Sequence, residues 1–319
     1  MNSRYVWMNG TIVESAKATI PFLTAGFHYG IGVFEGIRAY QTSRGPAVFR
    51  LRDHLRRFEA SARILGFREV PYSVDELVEA TTETIRRSEF DECYIRPMLW
   101  LADGGWNLTV DSGKPHVGIA VWEQSVYLGE DAPSRGIRAC VSSFVRHHPA
   151  AMMTKAKICG NYVNSYLAKT DARRQGFDEA IMLDPEGHLT EATGANVFIV
   201  RDGRLITPPT DAILEGITRS TMFALAADLG IEAQTASLSR DHLYLADEVF
   251  VCGTAAEVVG VAEIDMRRIG SGRTGPITTK LQHAYADAVH GRHARSADWL
   301  EYVRADRALG TRHQALGTS

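Results

Sequence analysis

Lysine is scarce in this chain, with six residues against twenty-nine arginines. A surface that needs only positive charge is therefore supplied by guanidinium groups. A lysine among small apolar residues invites a chemical reading, because an amine can lose its proton and act as a nucleophile. Cysteine is scarcer still: Cys93, Cys140, Cys159 and Cys252 are widely spaced, with no Cys-x-x-Cys pair. That spacing excludes a zinc ribbon and a thioredoxin-like redox motif, so all four read as small core residues. No apolar run approaches the roughly 20 residues that span a bilayer, and the start, MNSRYVWMNG, lacks the apolar core of a signal peptide. A cytoplasmic enzyme without a membrane partner is expected. Charge of one sign is missing as well, since a net charge of -3 leaves no electrostatic footprint for nucleic acid.

What is present fits a globular chain: 319 residues, 45% hydrophobic and 23% charged, enough for one or two domains. Residues 5–13 hold two short apolar runs around Asn9-Gly10, a hairpin signal. Leu55, Phe58, Ala62 and Leu65 recur at three and four and mark one face of a helix, with Arg56 and Arg57 off that stripe. Strands are expected over 46–50, 93–101 and 116–122, and a second helix over 74–87. From 123 to 136 the stretch EQSVYLGEDAPSRG loses periodicity and gains Gly, Pro and Ser, which places an interdomain connection there. Beyond it, strands over 137–145, 179–183, 197–200, 248–252 and 258–261 alternate with helices over 162–175, 217–229 and 277–289. The expectation is an α/β (α+β) chain. It has a small N-terminal domain 1–122, a loop 123–136, a large C-terminal domain 137–303 and a tail 304–319.

Two of the six lysines stand within three residues, in Met153-Thr154-Lys155-Ala156-Lys157-Ile158-Cys159-Gly160-Asn161-Tyr162. The glycine cluster His28-Tyr29-Gly30-Ile31-Gly32-Val33-Phe34-Glu35-Gly36 lacks the third glycine of a dinucleotide fingerprint and the Lys-Ser/Thr of a P-loop. Its histidine has no second ligand at metal spacing, so no metal is expected. Further on come Glu191-Ala192-Thr193-Gly194-Ala195-Asn196-Val197-Phe198, then Leu205-Ile206-Thr207-Pro208, then Leu214-Glu215-Gly216-Ile217-Thr218-Arg219.

In order and spacing these segments resemble the signature of class IV aminotransferases, the pyridoxal-phosphate enzymes of fold type IV that include branched-chain aminotransferases. The resemblance runs from Trp7-Met8-Asn9-Gly10 through Asp247-Glu248-Val249-Phe250 and Gly253-Thr254-Ala255-Ala256 to Asp298-Trp299-Leu300. It implies pyridoxal 5'-phosphate as cofactor and Lys157 as its Schiff-base lysine, with Lys155 a bystander. Tyr162 resembles the residue that hydrogen-bonds the cofactor's phenolic oxygen. Glu191 resembles the carboxylate that keeps the pyridine nitrogen protonated, which the ring needs in order to draw in electrons. Arg57, Thr254 and the helix opening at Gly216-Ile217-Thr218 resemble the phosphate site, where free N–H groups and a helix dipole attract an anion.

Tyr29, Phe34, Gly36 and Arg38, with Tyr94, Arg96 and Tyr127, resemble the branched-chain subfamily. By that resemblance Arg96, Tyr29 and Tyr127 bind the distal carboxylate of glutamate or 2-oxoglutarate, a task suited to an arginine fork. Phe34 lines the aliphatic pocket, while Thr254, Ala255 and Tyr94 lie near the α-carboxylate. The implied reaction is transfer of nitrogen from leucine, isoleucine or valine to 2-oxoglutarate, in a homodimer or higher oligomer. Two departures bear on pocket size: Gln124 stands where the bacterial enzymes carry tryptophan, and Gly105-Trp106-Asn107-Leu108-Thr109-Val110 replaces Gly-Met-Gly-Val-Asn-Pro. A D-amino acid or (R)-amine transaminase and an aminodeoxychorismate lyase share the fold and stand as alternatives. A non-catalytic vitamin B6 carrier is a third, and would not need the carboxylate clamp.

Overall fold

At Asn9 and Gly10 the backbone turns through positive φ, 48° and 96°, the type I′ geometry that joins Tyr5–Met8 to Thr11–Glu14. This hairpin edges the first of two sheets in the computed structural model, which describes residues 3–103, 108–110, 113–123, 128, 129 and 131–303, with the backbone alone at Asp103. Tyr127, Gln124, Trp106 and the tail 304–319 lie outside the described residues.

The first sheet is antiparallel throughout and has eight strands, in the order Leu300–Tyr302, Gly45–Phe49, Ile37–Thr42, Cys93–Asp103, Lys114–Trp122, Tyr5–Met8, Thr11–Glu14, with Gly32–Phe34 also on Cys93–Asp103. One strand of this sheet, Leu300–Tyr302, returns from the far end of the chain. Helices Leu51–Ile64 and Val74–Ser88 cover it. The apolar stripe does the work expected of it: Leu55, Phe58 and Ala62 are fully buried against Ile37, Ile95, Leu99 and Ile119. Each such large side chain contributes about 1.5–3 kcal/mol by leaving water. The second helix starts at a capping box, with Ser73 Oγ accepting from the Glu76 N–H and the Glu76 carboxylate accepting from the Ser73 N–H at 2.7 Å.

The second sheet is mixed and has nine strands. Leu189–Ala192, Glu179–Leu183, Ile137–Val141, Glu257–Ile264, Glu248–Gly253 and Asn196–Arg201 follow one another, and the first pairs back onto the last. The ring closes where Glu191 sits opposite Asn196. Helices Tyr162–Arg174, Ile217–Asp228 and Pro276–Val289 pack outside it. A shared cluster joins the two sheets: Tyr40 and Phe49 from the first pack with Phe198, Phe250, Leu281 and Tyr285, and the Phe198 and Phe250 rings stack at 5.0 Å.

The strand expected over 137–145 ends at Val141, after which the Ser142 N–H turns to the Ile181 carbonyl at 2.9 Å. Helix Ala25–Tyr29 and strand Gly32–Phe34, to which the sequence assigns no element, fill the glycine cluster. Among the described residues no helix is long and apolar enough to cross a membrane.

Candidate active site

Arg57 and Ser61 stand four apart on helix Leu51–Ile64 and so face the same way. Ser61 Oγ accepts the Lys157 backbone N–H at 3.0 Å, which fixes the height of the lysine against the helix. Lys157 also gives its carbonyl to the Phe34 N–H at 3.0 Å, and Val33 bridges Ile158, so the lysine segment lies along the strand Gly32–Phe34 as an added edge. Its side chain enters a cleft between the sheets, where Nζ donates to Tyr162 Oη at 2.5 Å and lies 5.0 Å from the centre of the Phe34 ring. Lys155 goes elsewhere, to Glu215 Oε1 at 3.0 Å and the Thr210 carbonyl, and does not line the cleft.

Arg57 is held from behind. Its Nε and Nη2 donate to the two oxygens of Glu35 at 2.7 and 2.9 Å, and Nη1 donates to the Glu215 carbonyl at 2.9 Å. His54 Nδ1 also meets Glu35, at 2.8 Å. Burial alone would raise the Glu35 carboxyl, but Arg57 and His54 hold it well below the usual carboxylate range. Burial lowers His54, so the imidazole stays neutral near pH 7 and donates to Glu35.

Glu191 lines the cleft where the ring of strands closes. Arg146 Nη2 pairs with its Oε1 at 2.9 Å, Asn196 Nδ2 donates to Oε2 at 3.2 Å, and the Leu214 N–H reaches Oε1 at 3.4 Å. Its burial raises the carboxyl, opposed by Arg146, by the Leu214 N–H and by Lys157. Beside it Gly216 opens helix Ile217–Asp228 with no side-chain cap, which leaves the first-turn N–H groups of Ile217 and Thr218 facing the cleft. A Cβ on Gly216 would lie 1.9 Å from Asn196 Oδ1, so only glycine allows this approach.

The matches with known proteins agree over nearly the whole chain. The family model for amino-transferase class IV covers residues 32–264. A branched-chain-amino-acid aminotransferase of Pseudomonas aeruginosa is 46% identical over 299 residues, 94% of this chain and 97% of the relative. That of Escherichia coli strain K12 is 43% identical over 301 residues, with the same shares covered. The chain belongs to amino-transferase class IV. Among solved structures, the Escherichia coli branched-chain amino acid aminotransferase superposes with a TM-score of 0.92 at 42% identity, covering 95% of this chain and 100% of the other. The branched-chain amino acid aminotransferase of Thermobaculum terrenum, solved in its PLP-form, gives 0.89 at 36% identity, covering 95% of this chain and 99% of the other.

Class IV aminotransferases depend on pyridoxal 5'-phosphate, and the donor set of this one fits that group. The cleft offers a lysine amine with no carboxylate partner among the described residues, a buried carboxylate, and an uncapped helix start close to a guanidinium. Amine, anion and anion-binding donors match the aldehyde, ring nitrogen and phosphate in turn.

Of the residues expected from sequence, Phe34, Gly36, Arg57, Tyr94, Arg96, Lys157, Tyr162, Glu191, Ile217, Thr218, Thr254 and Ala255 all line this aminotransferase's cleft. Gly36 is needed there, since a Cβ would lie 2.0 Å from Tyr94 Oη. Arg96 reaches Tyr94 Oη at 3.4 Å and borders a second, apolar cavity as well, and Tyr29 lines that cavity rather than the cleft, 44% exposed. Arg38 stays outside the cleft, paired with Glu257 Oε1 at 2.9 Å. Tyr127 lies outside the described residues. Sequence reasoning missed Arg146, Asn196 and Glu35. Asn196 and Glu35 stand inside quoted motifs but carry no role from spacing alone, and Arg146 sits in SSFVRHHPA, which has no periodic signal.

Proposed function

We propose that this aminotransferase moves the amino group of leucine, isoleucine or valine to 2-oxoglutarate in the cytoplasm, leaving the branched 2-oxo acid and glutamate. The observation that carries the reading is the Lys157 amine, free of any carboxylate among the described residues, 2.5 Å from Tyr162 Oη in a cleft that also contains Glu191. The Pseudomonas aeruginosa and Escherichia coli strain K12 relatives carry the branched-chain name at 46% and 43% identity. Bound pyridoxal 5'-phosphate supplies an aldehyde for the amine and a ring that draws in the electrons left on the α-carbon.

The chain's own residues do the rest. Lys157 Nζ, as a free base, would take the proton from the substrate α-carbon and deliver it across the nitrogen, two bonds away, to the carbon that had been the aldehyde's. Tyr162 Oη orients that amine. Glu191 keeps a proton on the ring nitrogen, while Arg57, Thr254 and the N–H groups of Ile217 and Thr218 hold the phosphate. Phe34 lines the aliphatic pocket, and Tyr94 with the Thr254–Ala255 turn receives the α-carboxylate. Arg96 takes the distal carboxylate of 2-oxoglutarate, and its guanidinium lies 4.7 Å over the Phe34 ring, so one wall serves both an apolar and a charged side chain.

Tyr29 belongs to an exposed apolar surface with Phe22, Phe27 and Val163, 76%, 67% and 59% exposed. A homodimer that covers this surface also encloses the cavity shared by Tyr29 and Arg96. A donor panel of L-valine, L-leucine, L-isoleucine, L-phenylalanine, D-alanine and (R)-phenylethylamine with 2-oxoglutarate tests the reading. Glutamate should form fastest from the three branched L-amino acids. Glutamate from D-alanine or (R)-phenylethylamine alone would overturn the substrate assignment.

A further inference from the structure

The hairpin between Glu248–Gly253 and Glu257–Ile264 has a three-residue loop, Thr254-Ala255-Ala256, and such a loop is commonly followed by a residue in left-handed conformation. Glycine is the usual occupant. Here it is Glu257, at φ 58°. A glutamate pays a conformational penalty there that glycine does not. Something must hold it, and two side chains from the first sheet do so: Arg38 Nη1 and Tyr40 Oη both donate to Glu257 Oε1 at 2.9 Å. Arg38 in turn lies 4.9 Å over the Tyr40 ring, and Tyr40 is 2% exposed, so the clamp is anchored in the core shared by the two sheets.

The loop this clamp fixes is a wall of the cleft. Thr254 and Ala255 line it, and Ala255 also borders the cavity behind, which Arg38 and Glu257 line. The backbone N–H groups of Thr254 and Ala255 have no acceptor among the described residues. We infer that Glu257 is a positioning residue for substrate recognition: held by Arg38 and Tyr40, it sets the Thr254–Ala255 turn so that those N–H groups meet the substrate α-carboxylate. Arg38 then acts through Glu257 and not on the substrate. The inference rests on the α-carboxylate assignment made under the proposed function.

The test measures binding of 4-methylvalerate, which has leucine's chain and carboxylate but no amine, to the holoenzyme by titration calorimetry. Alongside it runs 3-methylbutan-1-amine, which has no carboxylate. Glu257→Ala and Glu257→Gly should each weaken 4-methylvalerate about tenfold, the scale of one misaligned charge-assisted hydrogen bond, and leave the amine unchanged. Glu257→Gly should do so while melting above Glu257→Ala, because both lose the carboxylate but only glycine relieves the backbone, and equal loss of affinity at unequal stability separates positioning from folding. Glu257→Gln keeps an acceptor for both donors and should recover most of the affinity. Arg38→Ala should match Glu257→Ala, and the double variant should be no worse than either. Additive losses, or full affinity in Glu257→Gly, would overturn the inference. A wild-type enzyme that neither binds 4-methylvalerate nor consumes leucine would instead overturn the functional reading beneath it.

Discussion

Replacing Arg146 with methionine removes one charge from a buried pair and leaves the other. Glu191 and Arg146 lie 2.9 Å apart with side chains 8% and 9% exposed. At that distance the Coulomb attraction is about 6 kcal/mol in an effective dielectric of about 20. The Leu214 N–H, Asn196 and Lys157 still face the carboxylate and recover part of it. The net loss expected for stranding one partner is therefore about 3–5 kcal/mol. For a chain of this length that is a fall of roughly 5–8 °C in melting temperature. The pH dependence gives the sharper signature. Burial already raises the Glu191 carboxyl, and losing Arg146 raises it further, so the folded variant holds a proton that the unfolded chain releases. Its stability should be fullest below the unfolded carboxyl value of about 4.3 and fall as pH rises through the folded value. Thermal melts of cofactor-free protein from pH 5 to pH 8 read this out: the deficit should be largest at pH 8 and smallest at pH 5. Arg146→Met with Glu191→Gln should recover most of the loss. A deficit independent of pH, or none at pH 8, would refute the reasoning.

Arg96→Ala should raise the KM for 2-oxoglutarate by about tenfold or more and that for leucine by about twofold or less, since only the former carries a distal carboxylate; equal losses in steady-state kinetics would remove the clamp. Gly36→Ala places a Cβ 2.0 Å from Tyr94 Oη, and the Tyr94 ring is backed by Trp122 at 5.1 Å. Leucine KM should therefore rise at least about tenfold while the melting temperature falls by only a few degrees, and a wild-type KM would show that the tyrosine yields.

Much of this was legible in the residues because the local rules agreed with the fold. The Asn9-Gly10 hairpin, the Leu55-Phe58-Ala62 stripe, and the strand Glu179–Leu183 stand where periodicity and turn chemistry put them. Arg57 was readable only through its resemblance to the family's phosphate site, because off the apolar stripe it looks no different from its exposed neighbour Arg56. Pairing between distant segments leaves no such trace. Nothing near Leu300 signals that its strand crosses to Gly45–Phe49 in the first sheet, and nothing near Arg146 signals that it neutralises a carboxylate 45 residues on. The same holds for Glu35, whose hold on Arg57 depends on a helix and a strand meeting. Arg38 reads as a cleft residue by its motif, yet it pairs with Glu257 and lines the cavity behind the wall.

The central claim is that one amine, that of Lys157, carries the cofactor. Reducing the holoenzyme with sodium borohydride and mapping its peptides by mass spectrometry addresses this directly. The phosphopyridoxyl group should be found on Lys157. Its presence on Lys155, or on no lysine of the 153–162 stretch, would contradict the account.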